Sequence, residues 1–338
     1  MRIVILGGTV FLGRAIARAA LDDGHDVTLL HRGIHGRATF PEAEHLIADR
    51  TGPLDVLRGR RFDAAIDTSG YAPRDVRRSS QRLAEAGVEH LTFVSSVNAY
   101  PAWPAQPVDE ESPVWGAADR ERATAAEAFD PADYGPAKVA GELAAQEALG
   151  ADRVAVLRAG MLCGPHDHVF RLAWWVKRIA RGGDVLAPGD PLRALQLIDV
   201  RDLAAWTLAL AGGRTGGVFN ATAPIGHVPF GELLETIRSV TGSDARLRWT
   251  PEQAILDAGV QPWTELPLWL PQSDGTGTWR VATDRAQAAG LRCRPLGDTV
   301  AAVWDWLAAG GEAALPDWQA ENRAPGLHPT REAELLAA

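Results

Sequence analysis

"ILGGTVFLGRAI", residues 5 to 16, grows out of the apolar run RIVIL at 2 to 6 and leads into an alanine-rich amphipathic stretch. A glycine-rich turn between a first strand and a first helix points backbone N–H groups and the positive end of the helix dipole at a pyrophosphate. In such loops one glycine makes the tight turn, a second admits the phosphates to the backbone, and a third lets helix and strand pack closely. Gly7 and Gly13 fill the outer positions, but Val10 stands in the middle one. Gly8 and the hydroxyl of Thr9 are the candidates to compensate. The loop follows a first strand and precedes a second strand-like run, DVTLL at 26 to 30. That context favours a dinucleotide-binding fingerprint over a plain turn.

Further along, β-rich runs alternate with helical stretches: HLIA (45 to 48), FDAAID (62 to 67), a helix from about 73 to 87, HLTFVS (90 to 95), a helix from about 136 to 149, RVAVLR (153 to 158) and GVFNAT (217 to 222). This rhythm predicts an α/β fold, a Rossmann-type doubly wound parallel sheet, and the near-continuous apolar strands imply helices on both faces. The expected dinucleotide-binding domain spans 1–160 and is completed by about 195–222. A smaller, irregular C-terminal region, 161–194 with 223–320, is expected to bind substrate, and 321–338 reads as a tail with a final short helix.

With 338 residues, 46% of them apolar, the chain can fill a substantial core. Its net charge of −9 opposes attraction to phosphate backbones, so no nucleic-acid partner is expected. The basic cluster RDVRRSSQR at 74 to 82 reads as the solvated face of a helix. The longest apolar candidate, LAAWTLALA at 203 to 211, falls well short of the roughly 18 residues of a membrane span. MRIVIL runs into glycines with no secretory pattern, so no membrane association and a cytoplasmic location are expected. Cys163 and Cys293 lack metal or redox spacing and are expected to be reduced, and no metal site is expected.

The second strand ends in LLHRG. An acidic residue there would accept from the ribose 2′-OH of NAD, whereas Arg32 suits a 2′-phosphate, so NADP(H) is favoured and NAD(H) is the alternative. Asp49 falls where a carboxylate would meet the adenine amino group. In DYGPAKVAGE, Tyr134 and Lys138 lie four apart and share a helix face. A nearby ammonium stabilises a phenolate, so this pair suits acid/base work. FVSSVNAY puts Ser95, Ser96 and Asn98 at a strand's carboxyl end, where open α/β sheets bind ligands.

The order of glycine turn, serine after a mid-chain strand and YxxxK on the next helix resembles the short-chain dehydrogenase/reductase superfamily. The length, LRAGMLCGPHD and QLIDVRDLA resemble its extended or atypical branch, the NAD-dependent epimerase/dehydratase-like proteins. The resemblance covers most of the first 225 residues. It implies that Ser96 polarises the substrate oxygen, Tyr134 is the acid/base, and Lys138 lowers the tyrosine pKa and holds the nicotinamide ribose. Gly7, Thr9, Val10, Phe11, Leu12 and Gly13 match the phosphate loop in the variant GGTxFLG, and Thr68, Ser69 and Gly70 match the end of the fourth strand. Pro136 is tolerated only in a first turn, so the active helix should begin at or just after Tyr134. Asn98 is expected to modify how the substrate oxygen is held. His166 lies in a loop resembling the substrate-facing one, and Arg193 near the position that holds a nucleotide-sugar diphosphate. Trp174, with Trp175, Trp263 and Trp269, is a candidate lining for a flat apolar pocket.

The expected function is an NADP(H)-dependent reductase or dehydrogenase that moves hydride between nicotinamide and a carbonyl or alcohol carbon of a small molecule. The alternative is an NAD-dependent nucleotide-sugar epimerase or dehydratase. A third reading is a catalytically silent dinucleotide sensor or an RNA-associated relative such as the chloroplast stem-loop-binding proteins. Homodimerisation is left open.

Overall fold

Seven parallel strands form the centre of the molecule in the order β11-β6-β5-β4-β1-β2-β3, as described by a computed structural model. They are β1 (Arg2–Leu6), β2 (Asp26–His31), β3 (Glu44–Ile47), β4 (Ala64–Asp67), β5 (His90–Ser96), β6 (Val154–Ala159) and β11 (Gly217–Ala221). The structure describes residues 1–34, 36, 39–126, 128–273, 275–315 and 325–337. Each expected strand and helix of the first half is present, with bounds within two residues of those read from the sequence.

Both sheet faces are covered because both strand faces are apolar. Ile3 and Ile5 point to one side, against α1 (Phe11–Asp22) and α6 (Val200–Gly213). Val4 and Leu6 point to the other, against α2 (Pro73–Glu85) and α4 (Tyr134–Leu149). Alternation with period two makes each β1 residue a core residue of one layer or the other. Full burial of each such side chain contributes roughly 1.5–3 kcal/mol. The sheet order reverses between β1 and β4, the topological switch point at which open α/β sheets receive ligands.

The C-terminal half is more regular than expected. The strands β7 (Met161–Cys163) and β10 (Leu197–Asp199) pair in parallel, as do β8 (Asp184–Pro188) and β13 (Arg246–Thr250), while β9 (Ala194–Leu195) pairs antiparallel with β12 (Val228–Pro229). Around them pack α5 (Arg171–Ala180), α7 (Phe230–Thr241) and α10 (Leu296–Ala308). Shorter helices are α3 (Ala117–Ala125), α8 (Glu252–Asp257) and α9 (Asp284–Ala288), and a last helix covers Pro329–Ala337. Trp175, Phe230, Leu233, Trp269 and Val303 form a core separate from those on the two sheet faces. The short strands read as irregular because runs of two to five residues carry too few positions for a period to show.

Helix α2 bears the basic cluster, yet its face is only partly solvated: Ser79 and Ser80 are buried, and Arg78 and Arg82 donate to the carbonyls of Thr51 and Pro53. Cys163 is buried, Cys293 half-buried, and both are free thiols. No described helix is long and apolar enough to cross a membrane.

Candidate active site

The glycine turn lies at the switch point, between β1 and α1. Gly7 and Gly8 adopt φ +104° and +82°, which side-chain-bearing residues rarely reach. Val10 has φ −128° and ψ 136°, ordinary extended backbone, and is the N-cap of α1. The missing middle glycine is therefore not needed for conformation, since Gly7 and Gly8 make the turn. A Cβ at Gly13 would stand 2.7 Å from the Gly8 nitrogen and 2.8 Å from Thr68 Oγ1, so glycine there lets α1 close onto the loop. The Thr68 hydroxyl donates to the Leu6 carbonyl at 3.0 Å, tying the ends of β1 and β4 together. No side chain caps the first turn of α1. A turn without Cβ atoms below an uncapped helix N-terminus is a cradle that fits a pyrophosphate.

At the end of β2, Gly33 N donates to His31 Nδ1 at 3.1 Å, His31 Nε2 lies 2.8 Å from His45 Nδ1, and His45 Nε2 lies 3.1 Å from the Phe40 carbonyl. A carbonyl only accepts, so each ring donates from Nε2 and accepts at Nδ1. His31 thus turns inward to order this connection. Arg32 is exposed and has no hydrogen bond or ion pair among the described residues. Asp49 lies in a turn of its own, accepting from the Thr51 amide and hydroxyl, each at 2.9 Å, and these bonds hold its carboxyl below the usual range.

The expected acid/base group assembles at the end of β5. Ser96 closes the strand, and its Oγ accepts from Asn98 N at 3.2 Å and Nδ2 at 3.0 Å. Ser96 lies near enough to the Tyr134 phenol to hold its pKa down somewhat. Tyr134 is the first residue of α4, and Pro136 stays in the first turn where its missing N–H is harmless. Gly135 allows this approach, because a Cβ there would lie 2.3 Å from the Asn98 carbonyl oxygen. Lys138, one turn on, is buried and donates to the carbonyls of Gly70 at 2.9 Å and Val94 at 2.7 Å. Its ammonium lies 5.2, 5.1 and 5.8 Å from the ring centroids of Tyr71, Phe93 and Tyr134.

Electrostatics here depart from the expectation that Lys138 lowers the tyrosine pKa. Burial pushes Tyr134 up to about 12, with Tyr71 adding to the rise and Ser96 opposing it. Burial likewise pushes Lys138 down to about 8, against the pull of Asp67. The ammonium is held by two backbone carbonyls rather than aimed at the phenol oxygen.

Two buried ion pairs flank Lys138, and neither was anticipated from the sequence. Arg50 grips Asp67 at the end of β4 with bonds of 2.8 and 2.7 Å and also donates to Ser69 and Ser79. Glu142, a turn beyond Lys138, receives Arg158 of β6 at 3.1 and 2.7 Å, together with the Ser95 hydroxyl. Arg158 also donates to the Tyr100 hydroxyl at 2.9 Å, which donates to Asn220 Oδ1 at 2.8 Å. The available signal was a charge inside an apolar strand: Asp67 in FDAAID and Arg158 in RVAVLR.

The remaining expected residues form no hydrogen bond, ion pair or ring contact with Ser96, Tyr134 or Lys138 among the described residues. His166 packs its ring 5.6 Å from Trp306 and is pushed down to about 4, by burial first and Arg14 second. Its neighbour Asp167 is buried, pushed up to about 6, and accepts from Val169 N at 3.0 Å. Trp174 stacks edgewise on Trp175 at 4.7 Å beside the C-terminal core, and Trp175 and Trp269 are wholly within it. Trp175 and Trp269 thus fill a core rather than frame a flat pocket, while Trp174 and Trp263 are partly buried against it. Arg193 lies 3.6 Å from Glu252 and donates to the Pro271 carbonyl at 3.4 Å.

Residues 3–222 match the model of the NAD dependent epimerase/dehydratase family. The chain belongs to this family. The family uses a nicotinamide cofactor. Among solved structures it is similar to the Bordetella bronchiseptica enzyme WbmH in complex with NAD+, at 17% identity and TM-score 0.65, covering 92% of this chain and 99% of that one. The UDP-glucose 4-epimerase of Thermotoga maritima with UDP-glucose has 17% identity, TM-score 0.62 and the same two coverages. For UDP-glucuronic acid 4-epimerase of Bacillus cereus in complex with NAD the values are 13%, 0.62, 91% and 99%. At these identities the likeness shows the fold. A curated relative, the chloroplast stem-loop binding protein of 41 kDa b from Arabidopsis thaliana, is 24% identical over 273 residues, 75% of this chain. The match spans 65% of that protein, less than two thirds of its length.

Proposed function

We propose that the protein is an NAD-dependent epimerase or dehydratase acting on a nucleotide sugar. The observation that carries this reading is the convergence of Ser96 at the end of β5 with Tyr134 and Lys138, one turn apart on α4, beside the glycine cradle at the end of β1. The family match and the NAD or UDP-sugar bound to similar folds support it over a reductase.

Both Ser96 lone pairs are taken by Asn98, so its hydroxyl hydrogen is left to donate. A substrate oxygen entering between Ser96 and Tyr134 would take that hydrogen. An NAD-linked oxidation takes a proton from the substrate hydroxyl, so Tyr134 would enter that step as the phenolate beside the positive charge at Lys138 and, as the phenol, would return the proton to the carbonyl oxygen in the reverse step. Bound NAD supplies reversible hydride acceptance at the carbon bearing that oxygen. Arg193 would meet the diphosphate once the Glu252 contact, at 3.6 Å, gives way.

Native mass spectrometry of the protein as isolated, together with turnover of UDP-glucose and UDP-glucuronate, tests the reading. Retained NAD and conversion of either sugar are expected. A site that takes up only NADPH and reduces carbonyl compounds would replace it with the NADP(H)-dependent reductase, a reading that the exposed Arg32 favours. Similarity to the Arabidopsis protein favours an RNA-associated role, which the net charge of −9 opposes. Titration with a stem-loop RNA should show no salt-sensitive binding.

A further inference from the structure

Arg171, the first residue of α5, carries a half-buried guanidinium that no oxygen acceptor meets among the described residues. Its Nε is buried without a hydrogen-bond partner, and Nη1 faces the Met161 sulfur at 3.8 Å. The group lies over the Trp263 ring, 5.1 Å from the centroid. Elsewhere the fold provides for buried guanidinia: Arg50 and Arg158 each meet a carboxylate at 2.7 Å, and Arg178 meets Glu332. The nearby Asp167 carboxylate acts on the Arg171 guanidinium electrostatically but forms no hydrogen bond with it, so a guanidinium without an oxygen acceptor at a ligand edge has N–H groups left for an anion from outside.

Position supports that reading. In the β5–β6 register Ser96 lies beside Ala159, and Met161 is two residues further on. The Arg171–Met161 contact therefore sets the guanidinium just past the carboxyl edge of the strand next to Ser96. The loop leading to Arg171 returns to the phosphate turn, where His168 and Phe11 have ring centroids 6.4 Å apart. The Trp263 ring gives the guanidinium a cation–π neighbour, and the planar fork of an arginine matches a pair of oxygens.

We infer that Arg171, backed by Trp263, is an anion anchor of the substrate pocket that binds a paired-oxygen group of the substrate, a phosphoryl or a carboxylate, by bidentate hydrogen bonds. The inference rests on the proposed reading only in taking this sheet edge as the substrate site.

The test titrates NAD-loaded full-length protein with inorganic pyrophosphate and, separately, with glucuronate, by calorimetry and by quenching of tryptophan emission. Wild type, Arg171→Lys, Arg171→Gln and Trp263→Leu are compared, with NAD affinity and thermal midpoint measured for each. At least one probe should bind wild type, weaken tenfold or more in Arg171→Gln, weaken less in Arg171→Lys and Trp263→Leu, and lose affinity with added salt. Binding of pyrophosphate alone assigns the anchor to a diphosphate, and binding of glucuronate alone to a sugar carboxylate. Equal affinity in wild type and Arg171→Gln, or binding of neither probe while NAD is held, overturns the anchor and leaves the proposed function standing. Arg171-dependent anion binding by a protein that holds no NAD leaves the anchor standing and removes the NAD-dependent reading.

Discussion

Changing Glu142 to Gln should be among the most damaging single substitutions in this fold, although the two side chains have nearly the same volume. Both carboxylate oxygens are committed: Oε1 accepts from Ser95 and from Arg158 Nε at 3.1 Å, and Oε2 accepts from Arg158 Nη2 at 2.7 Å. Side-chain exposure is 4% for Glu142 and 7% for Arg158, so water cannot take over either partner. An amide would present N–H donors to a guanidinium that only donates, and would leave a buried positive charge unmatched. Removing one partner of such a pair costs about 3–5 kcal/mol, whereas replacing both with apolar groups of similar size is often neutral. Urea denaturation should therefore show Glu142→Gln losing about 3–5 kcal/mol at an unchanged m-value, with Glu142→Leu/Arg158→Met within about 1 kcal/mol of wild type. Tyr100 keeps its bond to Asn220 in the double variant, which limits the collateral loss. A Glu142→Gln protein within about 1 kcal/mol of wild type would show that the pair is solvated, and the reasoning would fail.

Tyr134→Phe removes the proton donor and keeps the ring packed against Tyr71 and Phe129, so kcat should fall about 10²–10⁴-fold with NAD retention unchanged, as steady-state turnover and native mass spectra would show. Full turnover in that variant would remove Tyr134 from the chemistry. Gly13→Ala forces a Cβ to 2.7 Å from the Gly8 nitrogen, so NAD affinity should drop at least about tenfold and stability by about 1–3 kcal/mol; unchanged calorimetric binding would refute the close-packing role. Lys138 titrates near pH 8 in the native protein and near 10.4 when unfolded, so between these values the unfolded chain holds the extra proton and stability rises with pH. Relative to Lys138→Met, wild type should gain about 2 kcal/mol from pH 8 to 10, and parallel stability–pH curves would contradict a buried ammonium.

How much was legible in the residues follows from how local each signal is. The alternation of β1 and the spacing of Tyr134 and Lys138 are properties of neighbouring residues, so the doubly wound sheet and the shared helix face could be read directly. Val10 looked like a defect because a motif counts positions and not dihedrals. The tryptophans could not be assigned from spacing, since an indole reads the same whether it fills a core, as Trp175 does, or faces a ligand edge. Likewise, nothing near Lys138 in the chain announces that the Gly70 and Val94 carbonyls will hold its ammonium.

By itself, then, the sequence determined the layer architecture, the place of the glycine turn and the positions of Ser96 at a strand end and of Tyr134 and Lys138 on one helix face, because these depend on short periodic patterns and on chain order. Only the tertiary structure decided which charges meet. Arg50 with Asp67, Glu142 with Arg158, and the guanidinium of Arg171 with no oxygen acceptor among the described residues come from strands and helices brought side by side. The same packing raises Tyr134 and lowers Lys138, because desolvation acts on whatever the fold encloses, however far apart along the chain the enclosing residues lie.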